Sequence, residues 1–189
     1  MHKVISKVYT VTDLPFTSVS SDAFVSGDHE KDIRKRIQQV IEEEAPITEW
    51  LLIKRVINSF NIWKAGTNIR TYMKKILDSM PLHTTQDPEQ VIYWKRNQDK
   101  TYSVFRLFGR DELACRDALQ LPCAECANAV VYTANRQPGL TMDELVRQTA
   151  LLMGYTRIGS NVGKKMNEAV RFALKKKWIK GGAGGYTAV

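Results

Sequence analysis

Long apolar runs, cysteines and acidic residues are all scarce in this 189-residue chain, and each shortage removes a class of protein. No stretch approaches the roughly 18 consecutive apolar residues that span a bilayer. The N-terminus MHKVISKVYTVTDLP also lacks the uninterrupted apolar core of a secretory signal. A soluble, cytoplasmic protein with no membrane partner is therefore expected. The three cysteines, Cys115, Cys123 and Cys126, include one CxxC, half of a zinc site or a redox pair, with no second half. Structural zinc needs four tetrahedral ligands, and His2, His29 and His83 stand at no finger-like spacing to that pair. The thiols read instead as small apolar residues on a helix, CAECANAVVY, in a reducing compartment, and neither metal nor cofactor is expected. Catalytic arrangements are missing as well. The histidines are scattered, no Ser-His-Asp or paired-carboxylate pattern follows from spacing, and Cys123 has no evident activating base, so the chain is not expected to be an enzyme.

What is present is ordinary globular material with a basic excess. Hydrophobic residues make up 43% and charged residues 25%, enough for one medium domain or two small ones. Lysine and arginine number 28 against 20 acids, a net charge of +8 that concentrates polyanions around the protein.

A hexamer occurs twice: KAGTNI (Lys64 to Ile69) and RIGSNV (Arg157 to Val162). The glycines Gly66 and Gly159 lie 93 residues apart, and the same offset pairs Ile47 with Leu140, Leu52 with Leu145, Phe60 with Met153, Met73 with Met166 and Leu77 with Val170. Apolar positions thus coincide at helical spacing on both sides of the hexamer, which predicts two copies of one small fold.

Each copy has the same order of signals. A first helix, EKDIRKRIQQVIEEE or PCAECANAVVYTANR, runs to a proline turn at Ala45-Pro46 or Pro138-Gly139. After a short extended piece Thr48 and Thr141 are expected as N-caps, and TMDE forms a capping box with Glu144. The second helix ends near Asn61 or Gly154, residues that tolerate positive φ. Gly66 and Gly159 then allow a tight turn, Thr67 and Ser160 are expected to cap a third helix, and Ile69 and Val162 begin its buried stripe. VIYWK and TYSVFRLF across the turn RNQD, and WIK and YTAV across GGAGG, read as terminal hairpins.

The expected fold is therefore mainly α with small β-hairpins (α+β), arranged as tandem winged-helix (helix-turn-helix) units. Residues 1–30 hold a strand and a Ser/Thr-rich connector, residues 31–110 the first unit, and residues 111–189 the second.

Advancing about 100° per residue from Val162 puts Met166, Ala169, Val170 and Ala173 on the core side of the last helix. Lys164, Arg171 and Lys175 fall opposite, with Ser160 and Asn167 beside them and Lys165, Lys176 and Lys177 flanking. Glu168 is the only acid there. Such a face suits a groove lined by phosphates, although lysines on a solvated helix also serve solubility and the helix C-terminus. The first copy carries Thr71, Lys74 and Asp78 instead and is less cationic. Lys64 and Arg157, two residues before the glycines, can reach a backbone phosphate or stand as plain surface charges. Trp50, Trp63 and Trp94 have rings that can stack on bases, but an amphipathic helix for Trp50 and a strand for Trp94 favour packing.

Several segments carry a resemblance: VYTVTDLP, IEEEAPITEWLLIKRVINSFNIWKAGTNIR, LQLPCAECANAV and LTMDELVRQTALLMGYTRIGSNV. Together they resemble an uncharacterised tandem winged-helix domain found near the C-terminal end of very large bacterial superfamily 1 DNA helicase proteins, which often also carry a nuclease-like segment. The resemblance implies a non-catalytic accessory module of an ATP-driven DNA translocase and carries no residue roles. Asn61 stands where that family usually has glycine, and no GxxxxGK[ST] loop occurs, so the motor lies outside this chain.

Two functions are weighed. In the first, the module binds duplex or junction DNA through phosphate contacts, with Arg157, Ser160, Lys164, Lys165, Asn167, Arg171, Lys175, Lys64 and Lys74 as the candidate contacts. In the second it docks to a helicase or nuclease core and leaves an apolar surface exposed when isolated. A stand-alone regulator would need a dimer and a palindromic site, and no dimer helix is evident.

Overall fold

The 93-residue offset recurs in the secondary structure of the computed structural model, which describes residues 2–109 and 114–189. In chain order the elements are β1 (Ile5–Val8), α1 (Ser21–Val25), α2 (Glu30–Glu44), β2 (Ile47–Thr48), α3 (Glu49–Ser59), α4 (Thr67–Asp78), β3 (His83–Gln86) and β4 (Val91–Trp94). There follow β5 (Val104–Leu107), α5 (Cys123–Arg136), α6 (Met142–Leu152), α7 (Ser160–Lys175), β6 (Ile179–Gly182) and β7 (Gly185–Ala188). Adding 93 to the first residues of α2, α3 and α4 gives the first residues of α5, α6 and α7. The fold is mixed helix and strand, with small sheets.

Local signals explain most of these boundaries. Thr48 accepts from the Leu51 amide as N-cap of α3, and Thr141 with Glu144 completes both halves of the capping box on α6. Two bonds to Thr141 hold the exposed Glu144 carboxyl below its ordinary value. Asn61 and Gly154 adopt φ of 64° and 94°, ending α3 and α6 where the sequence indicates. They are not interchangeable: a Cβ on Gly154 would lie 2.6 Å from the Phe108 ring.

The hexamer turns out differently. Gly66 and Gly159 are themselves the N-caps of α4 and α7, with φ of −65° and −74°, and neither helix has a side-chain cap. Thr67 and Ser160 are the first helical residues, so their hydroxyls are not placed to cap. A Cβ on either glycine would meet nothing within 4 Å, so packing does not demand glycine at these positions.

The chain divides into two compact units, Thr10–Lys100 and Met1–Tyr9 with Thr101–Val189. This grouping differs from the expected 1–30, 31–110 and 111–189, whose boundary at 110/111 lies outside the described residues. The cause is strand pairing. VIYWK and TYSVFRLF do not form a hairpin: β4 pairs antiparallel with β2 and with β3, in the order β2-β4-β3, and Asp87–Gln90 forms the tip. RNQD leads instead into a 3-10 turn at Gln98–Lys100. β5 pairs in parallel with β1, from Ile5 opposite Val104 to Val8 opposite Leu107, and buries Phe105 in the core of the second unit. The GGAGG hairpin forms as read, with β6 and β7 antiparallel and Leu140 bridged to Tyr186.

In the first unit the core gathers Phe24, Ile33, Ile37, Leu52, Val56, Phe60, Met73 and Ile76. The Ser/Thr-rich connector is tied down by buried charges. Arg36 donates to Thr17 Oγ1 and to the Ser59 carbonyl and hydroxyl, and its guanidinium lies 3.7 Å from the Phe60 ring centre. Glu44 accepts from the Thr12 amide and hydroxyl and pairs with Arg55 at 3.1 Å.

In the second unit α5 packs against α6 and α7 around Ala127, Val130, Leu145, Met166, Ala169 and Val170. Glu125 is fully buried between two guanidinium groups, accepting from Arg106 Nε at 3.0 Å and from Arg116 Nη2 at 2.7 Å. Burial alone would raise its carboxyl, but the two arginines outweigh that and hold it at about 2. Tyr9, just after β1, has Arg116 at 3.9 Å and Arg106 at 5.0 Å from its ring centre, so the N-terminal segment closes over this ion cluster. Cys123 and Cys126 are buried on α5, and none of the three cysteines forms a disulfide.

Candidate nucleic-acid interface

The amphipathic pattern of α7 sets its two faces. Met166, Ala169, Val170 and Ala173 are buried, and Lys164, Arg171 and Lys175 are exposed, as helical spacing requires. Ser160 and Arg157 are also exposed, at and just before the first turn. With no acid in that turn and no side-chain cap, the leading amides of α7 carry the partial positive charge of a helix start toward the same end of the face.

Two of the predicted contacts behave differently. Lys165 is only 4% exposed, and its ammonium pairs with Glu168 at 3.3 Å. Helical rotation places it about 40° from the buried Ala169, and an acid three residues on satisfies the buried charge. It cannot contribute to the surface. Asn167 is half-buried and donates its amide to the Gly163 carbonyl at 2.8 Å, on its own helix, which leaves it little reach toward base edges.

The structure adds Lys180, which the sequence reading missed. On β6 Ile179 points into the core and Lys180 is exposed, followed by the exposed Gly181 and Gly182. Period-two alternation in WIK was the available signal. Lys176 and Lys177 are exposed where the chain leaves α7, Lys177 at φ 58°. The second unit thus presents Arg157, Lys164, Arg171, Lys175 and Lys180 as exposed cations.

Lys64 and Lys74 belong to the first unit and form a separate set. Lys64 is exposed in the turn before α4. Lys74 lies 3.8 Å from Glu49 and 3.5 Å from Asp78, so its charge is partly answered within the unit. Such exposed pairs hold weakly, at roughly 0–1 kcal/mol, and a phosphate can displace them. Arg70, Thr71, Lys74 and Lys75 line an open groove along α4.

Trp94 is buried and donates its indole N–H to Thr85 Oγ1 at 2.7 Å, a packing role as expected. Trp50 and Trp63 are not packed: they are 51% and 67% exposed. Trp50 sits under Lys54 at 5.2 Å, and Trp63 lies between two helices, where no periodicity announces burial or exposure.

Among the described residues no group of three or more His, Cys, Asp or Glu side chains is placed to hold a metal ion, and no helix is long and apolar enough to cross a membrane.

Residues 22–71, from α1 into α4, match the family described as "Protein of unknown function (DUF3320)". The matched stretch includes the first hexamer and not its copy. No curated protein and no solved structure matches the chain.

Proposed function

We propose that the chain is a non-catalytic nucleic-acid-binding module of two winged-helix units, accessory to a DNA helicase-related protein, and that its second unit makes the larger contact with duplex phosphates. The order helix, short strand, helix, helix, hairpin in the first unit, and the same order in the second with the isolated Leu140–Tyr186 bridge standing where β2 pairs with β4, supports the winged-helix reading. The helicase association rests on the resemblance of the segments around both hexamers.

The observation that carries the binding reading is the exposed row Lys164, Arg171 and Lys175 on one face of α7, with Lys180 on the adjoining hairpin. Such a row releases counterions from DNA and carries little sequence information, because phosphates look alike at every base pair. The half-buried Asn167 points the same way, toward positioning and not base reading.

Reversing three charges in K164E/R171E/K175E tests this with a fluorescent duplex of about 20 base pairs in low salt. The expected result is loss of binding by well over ten-fold with an unchanged melting curve. Retained duplex affinity in a folded triple variant would reject α7 as the contact surface. The surviving alternative would then be docking to a helicase or nuclease core.

A further inference from the structure

The first unit holds an exposed indole where the second has a threonine. Trp63 corresponds to Thr156 at the 93-residue offset, one position before the basic residue that opens each hexamer. Trp63 is held in place: its Nε1 donates to Asn61 Oδ1 at 3.2 Å, and Asn61 in turn donates Nδ2 to Ser18 Oγ at 3.1 Å. Asn61 therefore does more than accept positive φ; its side chain positions the ring. A second exposed ring, Phe16, lies on the segment whose next residue, Thr17, donates to the Ser59 carbonyl at the same end of α3.

The charge around this indole selects what would cover it. From Asn61 to Ile76 the chain carries Lys64, Arg70, Lys74 and Lys75 and no acid, and all four cations are exposed, with Lys74 sharing its charge with Glu49 and Asp78. A flat π-surface with cations a few residues away matches the repeat of a single nucleic-acid strand, in which a base face alternates with a phosphate. A base inside a duplex offers no free face. We infer that Trp63, with Lys64 and Arg70, forms a single-strand site in the first unit: the indole stacks on an unpaired base and the two cations take the neighbouring phosphates. This rests on the nucleic-acid reading above but not on the α7 surface. It divides the chain's work between an unpaired strand and a duplex, as a junction would require.

The full chain is tested with fluorescent (dT)12 and with a blunt duplex, comparing wild type, W63A, W63F and K64E. Stacking on one base sets the expected effect at roughly ten-fold or more weaker (dT)12 binding for W63A. W63F should recover most of that loss and K64E should weaken (dT)12 binding, while duplex affinity stays unchanged in W63A. (dT)12 should quench the wild-type indole fluorescence, and the quench should disappear in W63F, which keeps the other three tryptophans. Equal (dT)12 affinity in wild type and W63A would overturn the inference, as would the absence of any (dT)12 binding while the duplex binds. So would self-association of wild type that W63A abolishes without any quenching, which would assign the ring to a contact between chains. If α7 charge reversal leaves duplex binding intact but (dT)12 binding depends on Trp63, the single-strand site stands and the α7 reading falls.

Discussion

Across the 93-residue offset, Asp78 of the first unit answers to Arg171 of the second, Thr71 to Lys164 and Arg70 to Gly163. The inward stripes answer one another too, with Ile69, Met73 and Leu77 matched in sequence by the half-buried Val162 and the buried Met166 and Val170. Inner faces are kept because both helices must fill a similar core, whereas outer faces have no packing to satisfy and are set by what they touch. The difference at residues 78 and 171 is two charge units at one helix position, and it is one ground for the proposal that the two units take different ligands. Charge repair also differs. Lys74 shares its charge with Glu49 and Asp78 at the surface, while Lys165 takes its partner Glu168 into the interior, beside a face on which Lys164, Arg171 and Lys175 are exposed.

Each unit also buries one carboxylate beside arginine, and breaking these separates the units by stability. Glu125→Gln should have the largest effect, about 3–5 kcal/mol, because it leaves Arg106 and Arg116 charged and buried with a neutral partner. Urea unfolding followed by circular dichroism would then show the second unit melting first. Glu44→Gln should cost less, because an amide oxygen still accepts from Thr12. The pH dependence follows from the same cluster. The folded Glu125 carboxyl titrates at about 2, below its unfolded value of 4.5, so its contribution is fully present above pH 4.5 and is lost as pH falls toward 2. An acid titration of the urea midpoint should lose that share of stability in wild type and not in Glu125→Gln.

The helix stops give the next effect. Gly154→Ala forces a Cβ toward Phe108 at positive φ and should destabilise by about 1–3 kcal/mol. Asn61→Gly should change stability by less than about 1 kcal/mol, since glycine tolerates the same φ. Equal thermal shifts for the two variants would break the asymmetry.

Smaller again are the caps. Thr141→Ala removes the hydroxyl that caps the Glu144 amide, while the residue 141 amide keeps its bond to the Glu144 carboxylate, and should cost about 1 kcal/mol. Thr67→Ala and Ser160→Ala should stay within about 0.5 kcal/mol, because neither residue caps its helix. The smallest change sharpens the comparison of outer faces. Asp78→Arg makes α4 resemble α7 and should steepen the salt dependence of duplex binding by about 0.9, one added phosphate contact.

Helices, the caps at Thr48 and Thr141 and the positive-φ stops were legible in the sequence because each leaves a local mark, such as a 3.6-residue stripe, a Thr-x-x-Glu spacing at Thr141, or an Asn or Gly after an apolar run; Thr67 and Ser160 carried a similar mark and are not caps. The parallel pairing of β1 with β5 left none, since it joins residues about a hundred positions apart and depends on Phe105 filling a core built from other segments. HTTQ was unreadable as a strand for a different reason. Its residues are polar throughout, and only the alternation of half-buried with exposed positions distinguishes it. For the candidate surface, helical rotation found Lys164, Arg171 and Lys175, whereas Lys165, counted with the flanking cations, is turned toward the core side by the same rotation, and Glu168, three residues on, supplies its partner. The exposure of Trp63 lies in a turn, where no period applies, and its bond to Asn61 emerges only when the turn is folded.

The salt dependence of duplex binding, measured for wild type and for K164A/R171A/K175A, tests the central claim most directly. Contacts from Arg157, Lys164, Arg171, Lys175 and Lys180 predict a slope of log K against log salt near −4.5 for wild type and near −2 for the variant. A flat wild-type slope, or a steep slope that the triple variant leaves unchanged, would contradict it.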